Sequence, residues 1–74
     1  TSKLIISLRS FKRIIYVNGL QYGSSYKFHL AREYFRKEHH AEITVHSVEG
    51  NKVILEFESE EYKTLFLLKN SQYL

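Results

Sequence analysis

Several side chains suited to binding an anion lie in the first 18 residues, and one more lies further along the chain. Arginine and lysine bind phosphate oxygens, an exposed aromatic ring stacks on a nucleobase, and an asparagine amide donates and accepts hydrogen bonds. The candidate nucleic-acid contacts are Arg9, Lys12, Arg13, Tyr16, Asn18 and Lys52. The same residue types also occur in a solvated turn and in an ordinary strand tyrosine, so both interpretations stay open.

A second basic group recurs with helical spacing. At 100° per residue, one flank of a helix carries His29, Arg32, Arg36 and His40. This stripe is a possible docking face for an acidic partner or a phosphate backbone. Glu33 and Glu38 on the same helix weaken its field, which also fits a plain solvated face.

Composition excludes several kinds of chemistry. The chain has no cysteine, so it has neither disulfides nor thiolate metal ligands. His29 and Glu33 lie one helical turn apart, but no HExxH pattern or further ligand set accompanies them. No catalytic order of residues and no glycine-rich phosphate loop occurs either. We therefore expect no catalytic residue, no metal and no cofactor.

Charge and hydropathy set the class of partner. The formal net charge of +3 mildly favours an anionic partner. No apolar run approaches the roughly 20 residues of a membrane-spanning helix, so no membrane partner is expected. We expect an intracellular protein, cytoplasmic or nuclear.

The hydropathy pattern predicts an α+β fold with the order ββαββα. Strands are predicted at residues 4–8 and 14–17, separated by a break at residues 9–13. A helix over residues 26–39 follows, capped by Ser24 or Ser25, and then a hairpin of two strands that turns at residues 49–51. Ser59 caps a last helix that ends near Asn70.

The predicted architecture is a small antiparallel-rich sheet of about four strands with two helices on one face. Residues 1–74 form a single domain, with an extra N-terminal strand and turn in residues 1–12 and a βαββα core in residues 13–70. Alternation assigns one set of strand residues to the buried side of the sheet: Ile15, Val17, Ile43, Val45, Val53, Leu55 and Phe57. It assigns another set to the opposite side: Ile14, Tyr16, Asn18, Thr44, His46, Lys52, Ile54 and Glu56.

Residues 14–69 resemble an RNA recognition motif without its last strand. The stretch Ile-Tyr-Val-Asn-Gly-Leu at residues 15–20 is similar to that family's first-strand signature, and residues 57–61 are similar to its transition into the second helix. The resemblance implies that Tyr16 stacks a base from the sheet surface. In the third-strand signature, which falls at residues 50–57, Lys52 and Ile54 stand where the family has stacking aromatics.

The leading hypothesis is a non-enzymatic nucleic-acid-binding module that uses the sheet face and a basic edge, with single-stranded RNA favoured over DNA. The alternative is a protein-interaction or assembly module, possibly homodimeric or a small regulatory inhibitor, that uses the partly apolar sheet face or a strand edge. The sequence does not fix the oligomeric state.

Overall fold

The computed structural model describes residues 2–22 and 25–74, and in these residues a three-stranded antiparallel sheet packs against three α-helices. In chain order the elements are β1 (Ser2–Ser7), α1 (Leu8–Val17), β2 (Gln21–Tyr22), β3 (Ser25–Tyr26), α2 (Phe28–His39), β4 (Ala41–Ser47), β5 (Lys52–Phe57) and α3 (Glu60–Asn70), followed by a 3₁₀ turn (Ser71–Tyr73). The sheet order is β1-β5-β4, and β2 pairs separately with β3. The fold is therefore α+β, but the predicted order ββαββα and the sheet of about four strands are wrong in detail.

The largest correction concerns residues 8–17, which form one helix where the pattern predicted a break and a strand. Ser7 caps this helix, because its Oγ accepts a hydrogen bond from the backbone N–H of Ser10 at 3.1 Å. Ile14, expected on the free side of the sheet, is fully buried, whereas Val17, expected in the core, is exposed. Packing of one helical face thus overrides the strand preference of a local β-branched run.

The buried face of α1 joins a core of aromatic rings beneath the helices. Phe11 of α1 stacks on Phe35 of α2 with ring centroids 5.5 Å apart, and Phe66 of α3 lies 5.9 Å from Phe35 and 5.4 Å from Phe57 of β5. Fully buried side chains from all three helices and the central strand meet here: Phe11, Phe35, Phe57, Phe66, Ile14, Ile15, Leu55 and Val53. The helices therefore cover one side of the sheet.

Strand β5 is central and pairs antiparallel with both neighbours. Its hairpin to β4 turns at the predicted place. Asn51 adopts a left-handed conformation with φ of 51°, and the backbone N–H of Gly50 donates to Ser47 Oγ at 2.9 Å. The hairpin prediction is confirmed.

A β-bulge in β4 reverses the predicted facing of two residues. The register shifts between Ile43 and Val45, so that Val45 pairs with Ile54 and His46 with Val53. His46, expected on the free side, contacts the rings of Phe11 and Phe28. Val45, expected in the core, is 38% exposed on the free side. The extra residue, Thr44, holds the bulge with a hydrogen bond from its Oγ1 to the Ile54 carbonyl at 3.2 Å.

The two remaining helices lie close to where the sequence predicts them. Helix α2 begins at Phe28 after Lys27, which makes no side-chain cap, so the expected cap by Ser25 is wrong; Ser24 lies outside the described residues. Helix α3 begins after Ser59, whose Oγ accepts from the Tyr62 N–H at 3.4 Å, and it ends at Asn70. The predicted Ser59 cap and Asn70 end are confirmed.

The helical assignment of residues 8–17 makes Phe11 a core residue rather than a turn residue. We expect Phe11→Ala to lower the free energy of unfolding by about 3–5 kcal/mol, the usual loss for truncating a buried phenylalanine. Urea denaturation measures this. The neighbouring exposed Lys12→Ala should change stability by less than about 0.5 kcal/mol. Equal effects of the two substitutions would contradict the placement of Phe11.

Candidate nucleic-acid interface

The side of α1 that faces away from the core brings together four of the six predicted nucleic-acid contacts. Arg9, Lys12, Arg13 and Tyr16 follow one another at i, i+3, i+4 and i+7 and are all exposed, with Tyr16 at 69%. We call these four residues the basic face of α1. The opposite side of the same helix is buried through Leu8, Phe11, Ile14 and Ile15, so packing of the core fixes the orientation of the basic face.

Among the described residues, no acidic side chain lies within ion-pair distance of these cations. No aspartate or glutamate occurs in the sequence before Glu33. All the ion pairs within residues 2–22 and 25–74 involve Glu42 or Glu58, and none involves Arg9, Lys12 or Arg13. Three cations on one exposed helical surface therefore produce a local positive field that attracts anions.

A groove of about 330 Å³ lies beside the start of α1. Its walls include Arg9 and Arg13 of the basic face, Ser7 and Ser10, and the C-terminal segment that begins at Gln72. Guanidinium and hydroxyl groups are hydrogen-bond donors that suit phosphate oxygens. The groove therefore extends the basic face with further donors, although the Ser7 and Ser10 hydroxyls also bond to each other at 3.0 Å.

The other two predicted contacts lie elsewhere. Asn18 ends α1, and its side-chain amide donates to the Ile14 carbonyl at 2.7 Å, so this donor is committed to the helix terminus. Lys52 lies on the sheet, opposite Ser7 of β1 and Ser47 of β4. The expectation that Lys52 and Tyr16 share the free side of the sheet is wrong, because Tyr16 belongs to a helix.

The second basic stripe is largely paired within the chain. Arg36 and Arg32 bind Glu42 Oε1 through their Nη2 atoms at 2.8 and 3.3 Å. These hydrogen bonds, that of Arg36 first, lower the pKa of the Glu42 carboxyl. The stripe thus keeps fewer unpaired charges than the basic face of α1.

The histidines at the two ends of this stripe differ in their surroundings. His40 Nδ1 lies 2.6 Å from Glu58 Oε2, and its ring stacks on Tyr62 with centroids 4.1 Å apart. His29 is exposed. Of the four residues proposed for this stripe, three therefore have partners inside the molecule.

The free side of the sheet carries aliphatic rather than aromatic side chains. Ile5 of β1, Ile54 of β5 and Val45 of β4 form a row across it, and Tyr16 is not part of it. No aromatic residue lies on this side within the described strands β1, β5 and β4. The base-stacking sheet surface implied by the resemblance to an RNA recognition motif is therefore not formed by these residues.

The described part of the chain has neither a metal-binding cluster nor a membrane-spanning helix. Histidines and glutamates there form no group of three or more that is placed to hold a metal ion. Its helices are also too short or too polar to cross a bilayer. Comparison with protein-family models, with curated proteins and with solved structures gave no match to this chain.

Residue types alone selected the members of the basic face, but two signals that would have located it were missed. One is the spacing of Leu8, Phe11 and Ile15, which marks a helical core face. The other is the absence of acidic residues before Glu33. Together they place the positive residues of this segment on the outer surface of one helix.

His39 is a buried histidine that the sequence did not distinguish from its exposed neighbours. Its ring packs edge-on against Phe66 at 4.9 Å, and its Nε2 lies 3.1 Å from the Tyr34 hydroxyl. Burial, followed by the charge of Lys69, lowers the pKa of His39 below its usual 6.5. Folding therefore disfavours protonation of the imidazole.

This burial predicts a dependence of stability on pH. The unfolded chain takes up a proton on His39 near pH 6.5 while the folded protein resists it, so stability falls as the pH drops below about 6.5. Thermal unfolding at pH 7.5 and at pH 5.5 measures the change. His39→Gln, which stays neutral and can still bond to Tyr34, should reduce this loss. If His39→Gln loses as much stability between pH 7.5 and pH 5.5 as the unmodified chain, His39 is not the group responsible.

Proposed function

We propose that this chain is a non-enzymatic nucleic-acid-binding module and that α1, rather than the sheet, contacts the nucleic acid. The observation that carries the proposal is the basic face of α1, in which Arg9, Lys12 and Arg13 are exposed and lack acidic partners among the described residues. When these cations bind phosphate, no internal ion pair has to be broken, so their full charge acts on the ligand.

The dimensions of the basic face fit a short stretch of backbone. At 1.5 Å per residue, Arg9 and Tyr16 are separated by about 10 Å along the helix axis. Within this length each of the three cations can contact a separate phosphate, and Tyr16 lies at the end of the row.

Tyr16 favours RNA with unpaired bases over a regular duplex. Its ring is 69% exposed at the end of the basic face. Specific RNA recognition commonly uses single-stranded loops, whose unstacked bases pack on aromatic side chains. We therefore keep single-stranded RNA as the favoured ligand, and the cytoplasm or nucleus as the compartment in which the protein would meet it.

The test is a fluorescence-anisotropy titration of a labelled single-stranded RNA at salt concentrations of about 50 mM and about 200 mM. Each neutralised phosphate of a single strand contributes about 0.7 to the slope of log K against log salt. Replacing Arg9, Lys12 and Arg13 together by alanine should therefore reduce that slope by about 2. Alanine keeps the helix, which circular dichroism verifies.

A matched control distinguishes binding by the basic face of α1 from a general effect of the net charge. Replacing Lys37, Lys63 and Lys69 by alanine removes the same three positive charges from α2 and α3, which lowers the formal net charge from +3 to zero, as the first variant does. We expect this control to retain most of the salt slope. Equal reductions of the salt slope in the two variants would refute the proposal, and so would the absence of RNA binding by the unmodified chain at low salt.

A further inference from the structure

We propose that the free side of the sheet is a self-complementary surface through which two copies of this chain pack face to face. We call this surface the open face; its members on the central strand are Lys52, Ile54 and Glu56. The inference does not depend on nucleic-acid binding, because the open face and the helices lie on opposite sides of the sheet.

An apolar row crosses the middle of the open face. Ile54 pairs in register with Ile5 on one side and with Val45 on the other. Ile5 is 65% and Val45 38% exposed, and Ile54 is half-buried. Aliphatic side chains at the centre of a sheet surface are the usual contact between two packed sheets. The row thus supplies the apolar centre of the proposed dimer.

The charges on either side of this row indicate that the open face binds a second copy of the chain. Side chains alternate along a strand, so Lys52 and Glu56 project on the same side as Ile54, one before it and one after it. A twofold axis along the apolar row brings Ile54 onto its counterpart. It also places Lys52 of each copy over Glu56 of the other. One surface therefore forms two opposite-charge contacts with itself.

The side chains of the two flanking strands, β1 and β4, are compatible with the same twofold axis. Ser7 and Ser47 lie beside Lys52, whereas Lys3 and Glu42 lie beside Glu56. Rotation about the axis along the row places Lys3 over Ser7 of the other copy, and Glu42 over Ser47 of the other copy. No like charges are therefore brought into contact. An axis parallel to the strands would instead place Lys52 over Lys52 and Glu56 over Glu56. Like-charge contacts of that kind are unfavourable, so the charge pattern favours the first arrangement.

The size of the open face indicates a weak, reversible dimer. Three strands about 4.8 Å apart and about five residues long at about 3.4 Å each give roughly 240 Å². Stable interfaces bury about 800 Å² on each partner. Association should therefore appear only at high protein concentration. Because the helices cover the other side of the sheet, both basic faces would stay exposed in the dimer.

Sedimentation equilibrium over a wide concentration range, up to about 1 mM, tests the proposal. We expect the unmodified chain to show concentration-dependent dimers. Lys52→Glu and Glu56→Lys should each abolish them, because each substitution makes both proposed ion pairs like-charged. Lys63→Glu on α3 makes the same charge change as Lys52→Glu away from the open face and should preserve dimerisation. Circular dichroism establishes that each variant is folded.

An equimolar mixture of the Lys52→Glu and Glu56→Lys chains tests whether the charges of the open face form the contact. In the proposed geometry each chain meets opposite charges on the other, so the mixture should form heterodimers although neither chain dimerises alone. The proposal is overturned if the unmodified chain stays monomeric throughout. It is also overturned if the mixture stays monomeric, or if the double variant Lys52→Glu/Glu56→Lys associates with the unmodified chain but not with itself, as the axis parallel to the strands would require.

Discussion

The packing of Phe11 against Phe35 fixes the surface of this molecule as well as its core. The two rings lie 5.5 Å apart and are fully buried. Since α1 has 3.6 residues per turn, burying Phe11 together with Ile14 and Ile15 turns Arg9, Arg13 and the residues aligned with them toward solvent. One hydrophobic contact between two helices therefore decides which charged side chains can meet a ligand.

The sheet divides the molecule into surfaces with different physical character. On the helical side, Arg9, Lys12 and Arg13 of α1 form no ion pair with the described residues, whereas Arg32 and Arg36 of α2 pair with Glu42. On the other side, an aliphatic row lies between Lys52 and Glu56. The bulge at Thr44 contributes to this division, because it turns Val45 outward and His46 toward Phe11. The proposed contacts with RNA and with a second copy therefore use separate surfaces.

Local signals made part of the fold predictable. The Ser59 cap and the turn at Gly50 and Asn51 depend on residues close in sequence, and both were located correctly. Helix α1 was not, because the run Ile14-Ile15-Tyr16-Val17 favours a strand locally while the contact with Phe35 comes from a distant segment. A one-residue bulge likewise escapes any alternation pattern. Four candidate contacts were identified by residue type, but only the helix places them on one surface.

An NMR titration of the isotope-labelled protein with a short single-stranded RNA tests directly whether α1 contacts nucleic acid through its exposed side. We expect the largest chemical-shift changes at Arg9, Lys12, Arg13 and Tyr16. Residues of the open face should change little when protein concentration is held constant. Shifts concentrated on Ile5, Lys52 and Ile54, with α1 unaffected, would show that the sheet and not α1 is the binding surface.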